Sequence, residues 1–302
     1  CELLAKTSRR SSHQCGCHDS TLILLARGED QNLAAQYGRG MRFATWNVNS
    51  IRARVDRVVD YLERSQVDVL AMQEIKCKPE QFPLAPFAAL GYEVAAHGLN
   101  QWNGVAIASR IGLEAVETQF AGQPGFAKTG DQLIEARAIG ATCGDYRVWS
   151  VYVPNGRSLV DPHYAYKLAF LGALRDAATA WADGPALIAG DFNVAPLTTD
   201  IWSEEDSSAE THVTPESRAA FLALGEVGYE ELSRRYIPDA NTYTFWDYQQ
   251  LRFPRNEGMR IDFVYASAAA AERATAVRIE REERKGQGAS DHVPVVVDLK
   301  DA

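Results

Sequence analysis

Six short polar motifs are distributed along this sequence, and each lies at the end of a run of residues with strand character. The ends of strands in an α/β sheet can converge on one rim, so side chains far apart in sequence can line a single pocket. We therefore expect carboxylates, carboxamides, a phenol and an imidazole to meet in one place. In chain order, the motifs are Trp46-Asn47-Val48-Asn49, Met72-Gln73-Glu74, Tyr152-Val153-Pro154-Asn155, Gly190-Asp191-Phe192-Asn193, Arg260-Ile261-Asp262 and Ser290-Asp291-His292.

Strand-like and helix-like segments alternate from Arg42 onward, and the strands outnumber the helices. Apolar residues recur at helical spacing in a few segments, such as 51–62 and 163–181. Many strands with few helices favour an α/β sandwich of two packed mixed β-sheets flanked by helices over a single doubly wound sheet. The predicted strands cover residues 42–47, 68–72, 92–96, 104–109, 133–139, 146–153, 186–189, 243–246, 261–266, 275–280 and 293–299.

The composition indicates a globular protein with a single catalytic domain at residues 41–302. Of its 302 residues, 46% are hydrophobic and 24% are charged. The longest apolar stretches are far shorter than the roughly 20 residues that a membrane helix needs, so we expect no membrane segment. The net charge of −9 argues against a nonspecific polyanion binder. It is compatible with a nuclease, because acidic metal ligands lower the total while a local basic rim can still hold a phosphate backbone.

Residues 1–40 show no sustained period, and we predict a disordered extension there. The first convincing strand begins just after Met41, which makes Met41 a candidate natural start and the preceding segment non-native or mis-started; a targeting peptide is the alternative. The five cysteines form an odd set without a disulfide framework, which favours a reducing cytoplasm. Cys15 and Cys17 lie near two histidines but lack the second ligand pair of a typical zinc site.

Three oxygen-bearing side chains are candidate metal ligands: Glu74, Asn47 and Asp291. A lone Glu at a strand end commonly points to water, because burying it without a cation would be costly. Asn47 and Asp291 change this interpretation, since the three together supply hard oxygen ligands. Such ligands suit Mg²⁺ or Mn²⁺ far better than zinc.

Asp191 and Asn193 lie two residues apart, so both side chains face the same side of an extended segment. Such a turn can be purely structural. After the apolar strand at 187–189, however, it is typical of an acid directed at a water and an amide directed at a phosphate oxygen. Asp262 could accept a hydrogen bond from the ring of His292 and so favour the imidazolium. A cation held there would stabilise transition-state charge on a phosphate.

Further side chains could contact a nucleic acid. Tyr152 and Asn155 bracket a proline and offer a hydroxyl and a carboxamide that reach phosphate without adding charge, although the same motif also forms ordinary strand exits. Apolar residues in loop contexts are more commonly core, but beside basic residues they could form a stacking surface and a phosphate grip. These candidates are Trp102, Phe245, Trp246 and Met259, with Arg52, Arg57, Lys76 and Arg157.

Taken in this order, the motifs resemble the exonuclease III family of class II apurinic/apyrimidinic endonucleases, within the endonuclease/exonuclease/phosphatase superfamily. The resemblance runs from about Met41 to Leu299. The Gln-Glu, Asp-x-Asn and Ser-Asp-His motifs are shared across the superfamily, whereas Trp-Asn-Val-Asn, Tyr-Val-Pro-Asn, Phe-Trp-Asp-Tyr and Arg-Ile-Asp narrow the match to its DNA-repair branch. The resemblance implies a DNase I-like, four-layered α/β sandwich.

The resemblance also implies roles for individual residues. Glu74 would be the main Mg²⁺ ligand, with Asn47 and Asp291 at or beside the metal. Asp191 would orient or deprotonate the attacking water. The remaining roles are contacts to the scissile phosphate from Asn193, Tyr152 and His292, and orientation of His292 by Asp262.

In similar enzymes an apolar slot receives the base-less sugar, and the matching positions here are Phe245, Met259 and Ile261. A snug slot selects damaged DNA, because an intact base would have to be forced into it. Some relatives carry Trp where Met259 stands, and some carry Asp where Asn49 stands. Asp200 matches a further acid of the family near the site.

The leading hypothesis is an Mg²⁺-dependent phosphodiesterase of DNA repair, in which Mn²⁺ can substitute. It would cleave duplex DNA 5′ to abasic sites, leaving a 3′-hydroxyl, with 3′–5′ exonuclease and 3′-repair phosphodiesterase activity. Its partner would be duplex DNA with abasic sites or blocked 3′ ends, and we expect a cytoplasmic monomer with no membrane partner. Two alternatives are a superfamily phosphodiesterase acting on a phospholipid or inositol phosphate, and a catalytically silent DNA-binding scaffold.

Overall fold

Two six-stranded β-sheets form the centre of the computed structural model, which describes residues 40–127, 130–207 and 210–301. The strands are β1 (Met41–Asn47), β2 (Val69–Gln73), β3 (Glu93–His97), β4 (Val105–Ser109), β5 (Glu114–Glu117), β6 (Ala138–Cys143), β7 (Tyr146–Tyr152), β8 (Ala186–Asp191), β9 (Tyr229–Glu231), β10 (Asp262–Ser267), β11 (Ala274–Ile279) and β12 (Val295–Leu299). Their order is β11-β12-β1-β2-β4-β3 in the first sheet and β5-β6-β7-β8-β10-β9 in the second. The β1–β2 and β7–β8 pairs are parallel, and the other pairings are antiparallel.

Helices cover the outer face of each sheet. Helix α1 buries Ile51, Val58 and Leu62 against the first sheet, because these apolar residues recur on one side of the helix. Helices α3 and α5 pack in the same way against the second sheet. The helices are α1 (Ile51–Ser65), α2 (Leu84–Ala89), α3 (Pro162–Ala178), α4 (Glu204–Ser207), α5 (Pro215–Leu222), α6 (Leu232–Tyr236), α7 (Arg252–Arg255) and α8 (Ala268–Ala271).

The core between the two sheets consists mainly of aliphatic side chains, among them the fully buried Ala71, Ile107, Val148, Val264 and Val297. Alternate residues of each strand face this layer, and the others face the helices. The result is a helix–sheet–sheet–helix sandwich. The predicted fold class is confirmed.

The register of the strands places the polar motifs at one end of the sandwich. Asn47 pairs with Gln73 at the end of β1 and β2, and the parallel ladder continues beyond them through the Val48 amide to the Gln73 carbonyl, at 3.0 Å. In the second sheet, Asp191 pairs with Tyr152 in β7 and with Asp262 at the start of β10. Both parallel pairs therefore end on the same rim.

Two predicted strands differ from the structure, and two observed strands were not predicted. Residues 243–246 form no regular strand; Phe245 makes only isolated bridges to Met259 and His292. The strand predicted at 133–139 begins only at Ala138. The short strands β5 and β9 were not predicted, because neither has a run of alternating apolar residues.

The predicted extension at residues 1–40 lies, except for Gly40, outside the described residues and stays a prediction. Within the described part of the chain, no helix is both long enough and apolar enough to cross a membrane.

Candidate active site

Glu74, Asp191 and His292 meet at the rim where the strands end, and we call them the acid–imidazole cluster. One potential ligand atom from each lies within 4.8 Å of the other two. The Nε2 atom of His292 is 3.8 Å from an Asp191 carboxylate oxygen. Glu74 follows β2, Asp191 ends β8 and His292 precedes β12, so the cluster depends on the register of both sheets.

Asp262 holds the imidazole of the cluster. Its Oδ2 atom lies 2.8 Å from Nδ1 of His292, and both side chains are buried. Burial by itself would lower the pKa of His292, but the carboxylates of Asp262 and Asp191 raise it to about 10. The ring therefore stays an imidazolium at neutral pH, with Nε2 directed at Asp191.

Asp191 is the buried acid of the cluster. Burial raises its pKa, as do the neighbouring Asp262 and Glu74 carboxylates, while His292 opposes the rise. The carboxylate also accepts hydrogen bonds from the Asn193 amide at 2.9 Å and from the Asn47 carboxamide at 3.0 Å. A carboxylate with a raised pKa is a stronger base than an exposed one, which suits proton transfer near neutral pH.

Glu74 lies at the edge of the cluster and is its most exposed side chain. Burial would raise its pKa, but Lys76 and the Asn47 carboxamide, which donate at 2.7 Å and 2.9 Å, lower it below the ordinary value. Lys76 also donates to the Asn49 side chain at 2.6 Å, and Asn49 donates to Asp291 at 3.0 Å. An arc of hydrogen bonds thus joins Glu74 to Asp291.

The donor set fits a hard divalent cation. The acid–imidazole cluster and the arc offer carboxylate and carboxamide oxygens, which are the ligands that Mg²⁺ prefers. Glu74, Asn47 and Asp291 are the residues that would hold such an ion. Asp291 joins this network through the Asn49 side chain, and the ligand roles of all three residues stay predictions.

The phenol of Tyr152 and the guanidinium of Arg137 support the site from the second sheet. Burial and the Glu74 carboxylate raise the pKa of the Tyr152 phenol well above its ordinary value, so it remains a hydrogen-bond donor. The guanidinium of Arg137 lies over the Tyr152 ring, 4.9 Å from its centroid, and pairs with Glu135 at 2.7 Å. Arg137 was not among the predicted site residues, since its position before β6 carries no motif.

A side-chain amide network lies beside the cluster. The Asn155 amide donates to the Asn193 carboxamide oxygen at 3.2 Å and contacts Nε2 of His212 at 3.1 Å. Burial lowers the pKa of His212, and its Nδ1 lies 3.1 Å from Glu210. The neutral ring therefore donates to Glu210 and accepts from Asn155. His212 was not predicted from the sequence, because a single histidine in a polar loop gives no signal.

The cluster opens into a pocket of about 380 Å³. Phe245, Met259 and Ile261, the residues predicted to form an apolar slot, are among those that line it, and they share a small hydrophobic cluster with Ile201. The Phe245 ring lies 4.9 Å from the His292 ring. The apolar wall and the charged cluster therefore face the same space.

The loops that carry these side chains have unusual backbone conformations. Twelve non-glycine residues among those described have positive φ, and half of them lie in loops at this rim. Such conformations cost about 1–3 kcal/mol each and persist only where the surroundings enforce them. The six are Asn49, Ser50, Glu74, Lys76, Arg157 and Asn193.

The remaining residues predicted to bind DNA have different surroundings. Arg52 is exposed, and Trp102 is exposed on a loop that meets Lys76 through the Asn103 carbonyl. Arg157 is about half exposed above the Phe126 ring.

Two predicted DNA contacts are taken up by internal contacts. Arg57 donates three hydrogen bonds to backbone carbonyls of the loop at 283–287, so its guanidinium anchors that loop. Trp246 is fully buried against Tyr243 and Val293, which corrects its assignment to a stacking surface. Its side chain has no face left for a base.

Comparison with known proteins gives the class of this fold and site. Residues 44–292 match the endonuclease/exonuclease/phosphatase family. The exodeoxyribonuclease III of Haemophilus influenzae is 30% identical over 86% of this chain and 100% of its own length. An AP endonuclease from Archaeoglobus fulgidus superposes with a TM-score of 0.80 at 32% identity, covering 86% of this chain and 100% of that one. A 3′ phosphatase from Neisseria, solved with a product DNA hairpin, matches with a TM-score of 0.80 at 31% identity and the same coverage.

These relatives indicate that the protein is a phosphodiester hydrolase. The chain belongs to the endonuclease/exonuclease/phosphatase family, in the branch of exonuclease III and the class II AP endonucleases. The resemblance that the motifs indicated is therefore confirmed at the level of the family.

Proposed function

We propose that this protein is a divalent-metal-dependent DNA repair nuclease that cleaves duplex DNA 5′ to abasic sites and processes 3′ ends. The observation that supports it most is the acid–imidazole cluster at the mouth of a pocket with an apolar wall. The cluster can activate water and neutralise a phosphate, and the wall can receive a sugar without a base. The exodeoxyribonuclease, the AP endonuclease and the DNA-bound 3′ phosphatase among its relatives support DNA as the substrate.

The chemistry follows from the positions of the side chains. Asp191 orients a water and takes its proton as the water oxygen bonds to phosphorus. The phosphorus–O3′ bond breaks, and the departing oxygen takes a proton from solvent water to become the 3′-hydroxyl. Asp191 then returns its proton to solvent. His292, held by Asp262, places a positive charge against the phosphoryl oxygens, and the Asn193 and Tyr152 donors add hydrogen bonds to them.

Mg²⁺, held by Glu74 with Asn47 and Asp291, would supply Lewis-acid stabilisation of the phosphoryl charge. Mn²⁺ offers the same preference for oxygen ligands. One chain supplies every residue of this site, and we infer that the protein works as a monomer.

The test is cleavage of a duplex that holds one tetrahydrofuran abasic mimic, with and without Mg²⁺. We expect a nick 5′ to the mimic with a 3′-hydroxyl product, and loss of cleavage when EDTA removes the metal. An undamaged blunt duplex and a duplex ending in a 3′-phosphate, run in parallel, separate incision from 3′-end processing. Equal internal cutting of damaged and undamaged duplex would contradict the abasic preference, and no turnover on any of the three would contradict a nuclease.

A further inference from the structure

A fully buried lysine lies in the apolar face of helix α3. Tyr166, Phe170 and Leu174 of this face pack on the second sheet, and Lys167 lies among them with no exposed surface. Burying an ammonium is costly unless polar groups surround it. The polar groups around the ammonium therefore indicate the structural role of the charge.

The ammonium of Lys167 binds three backbone carbonyls from three separate loops. It donates to the Asn193 carbonyl at 2.6 Å, to the Thr211 carbonyl at 2.9 Å and to the Asn155 carbonyl at 3.4 Å. These loops follow β7, follow β8 and precede α5. Three carbonyl oxygens directed at one point repel each other, so a cation between them is what allows the loops to converge.

The same loops carry the amides that face the pocket. The Asn155 side chain donates to the Asn193 carboxamide, and Asn193 in turn donates to the Val153 carbonyl at 2.9 Å. Asn193 has a φ of 50°, a conformation that needs external support. Lys167 binds the backbone carbonyl of Asn193 and makes no hydrogen bond to the carboxamide that lines the pocket.

Helix α3 also holds the other side of the Asn155–Gly156 peptide. His163, one turn before Lys167, accepts a hydrogen bond from the Gly156 amide at 3.1 Å. Burial lowers the pKa of His163 to about 4, so the ring remains an acceptor at neutral pH. The carbonyl and the amide of this peptide are thus both fixed by one helix face.

We propose that Lys167 is a positioning residue of the nuclease, which acts by holding the backbones of Asn155 and Asn193 so that their carboxamides meet the scissile phosphate. This inference rests on the proposed function for its substrate, and on the three carbonyl contacts for its geometry. Burial outweighs the nearby Asp191 and Glu210 carboxylates and lowers the pKa of Lys167 to about 7. The two carboxylates favour the charged form.

The test compares Lys167→Met, which keeps the length of the side chain but removes every donor, with Lys167→Gln, which keeps one amide. On the abasic duplex we expect kcat to fall about 10²-fold for the methionine variant, since a misplacement of about 1 Å can cost that much. The glutamine variant should lie between it and wild type. KM should stay within about threefold, because the amides are expected to act mainly on the transition state.

A double-mutant cycle separates positioning from general destabilisation. In an Asn193→Ala background, Lys167→Met should lower kcat by no more than about threefold further, because the group that it positions is already gone. Phe170→Leu on the same helix face is the matched control; it loosens the core without touching the loops, and its kcat should stay near wild type. Multiplicative effects of Lys167→Met and Asn193→Ala, or a drop with Phe170→Leu as large as that with Lys167→Met, would overturn the proposal.

A crystal structure of the Lys167→Gln variant shows the positions of the three loops directly, without a measurement of activity. We expect the carbonyls of Asn155, Asn193 and Thr211 to move apart and the Asn193 carboxamide to turn. An unchanged loop arrangement would refute the inference. If wild type itself cuts no DNA, the proposed function fails, while this structure still tests what Lys167 holds in place.

Discussion

The two ends of the β-sandwich each carry a pocket lined with carboxylates, but only one end has the properties of an active site. The pocket at the far end, beside the start of β1, has a volume of about 520 Å³ and is lined by Arg42, Asp68 and Asp298. The pocket at the rim described above has about 380 Å³. The larger pocket is therefore not the one with the properties of an active site.

Charge pairing distinguishes them. At the far end, Asp298 pairs with Arg42 at 2.7 Å and with Arg278 at 2.6 Å, and Asp68 pairs with Arg110 at 2.8 Å. At the rim, the carboxylates in the cluster and its hydrogen-bond network outnumber the cations. These carboxylates are Glu74, Asp191, Asp262 and Asp291, against the cations Lys76 and His292. Carboxylates left without a full set of partners are typical of a site that awaits a cation and a substrate.

The largest effect should come from Asp191→Asn at the rim. The amide has nearly the same shape but cannot take a proton from water, so kcat on the abasic duplex should fall about 10²–10⁴-fold. Steady-state cleavage with saturating Mg²⁺ measures this loss. Cleavage within a few-fold of wild type would show that another group activates the water.

Asp262→Asn tests the second feature of the rim, its held imidazolium. Because Asp262 is the main group that raises the pKa of His292, the variant should lose the positive charge as pH rises through the neutral range. Wild type should keep it up to about pH 10. We expect about 10²-fold lower kcat/KM at pH 8.5, with partial recovery at pH 6. Parallel pH profiles for the two proteins would contradict the role of Asp262.

At the far end, Asp298→Asn should change stability and leave catalysis alone. Partial burial raises the pKa of Asp298, but hydrogen bonds from Arg278 and Arg42 lower it below the ordinary value. Its contribution is therefore present above about pH 4, the unfolded pKa, and is lost as pH falls below it. Urea unfolding at pH 7 should show a loss of about 1 kcal/mol, since the pair is partly exposed.

The difference between wild type and Asp298→Asn should shrink toward pH 3. A change in kcat larger than about twofold would mean that the two ends are coupled. Such coupling would contradict the division into a structural end and a catalytic end.

The sequence predicted those parts of the site that lie at the ends of regular strands. Asn47, Tyr152 and Asp191 end apolar strands, and period-2 alternation fixes which face and which end each of them occupies. Asp262 and His292 were predicted from the Arg-Ile-Asp and Ser-Asp-His motifs. The register of β10 against β8 brings Asp262 beside Asp191. The family match followed from the order of the same motifs.

The residues that the sequence did not predict are those positioned by tertiary contacts. His212 lies in a loop without periodicity, and it meets Asn155 across 57 residues of chain. Trp246 resembles a loop aromatic in sequence, but Val293 and Tyr243 bury it. Lys167 did leave a signal, since a lysine occupies a buried position of the apolar stripe of α3, where a charge requires partners.

The smallest predicted effect concerns the margin of the rim, where Arg157→Ala removes a half-exposed guanidinium. If Arg157 contacts a phosphate, KM for the duplex should rise about threefold with kcat unchanged, and the salt slope of binding should fall by about one. Arg175→Ala is the matched control, because Arg175 is half-buried in the last turn of α3 and pairs with its neighbour Asp176. Fluorescence anisotropy of a labelled abasic duplex between about 50 and 200 mM salt measures both slopes. Equal slopes for the two variants would place the DNA away from Arg157 and restrict the functional rim to the cluster and its pocket.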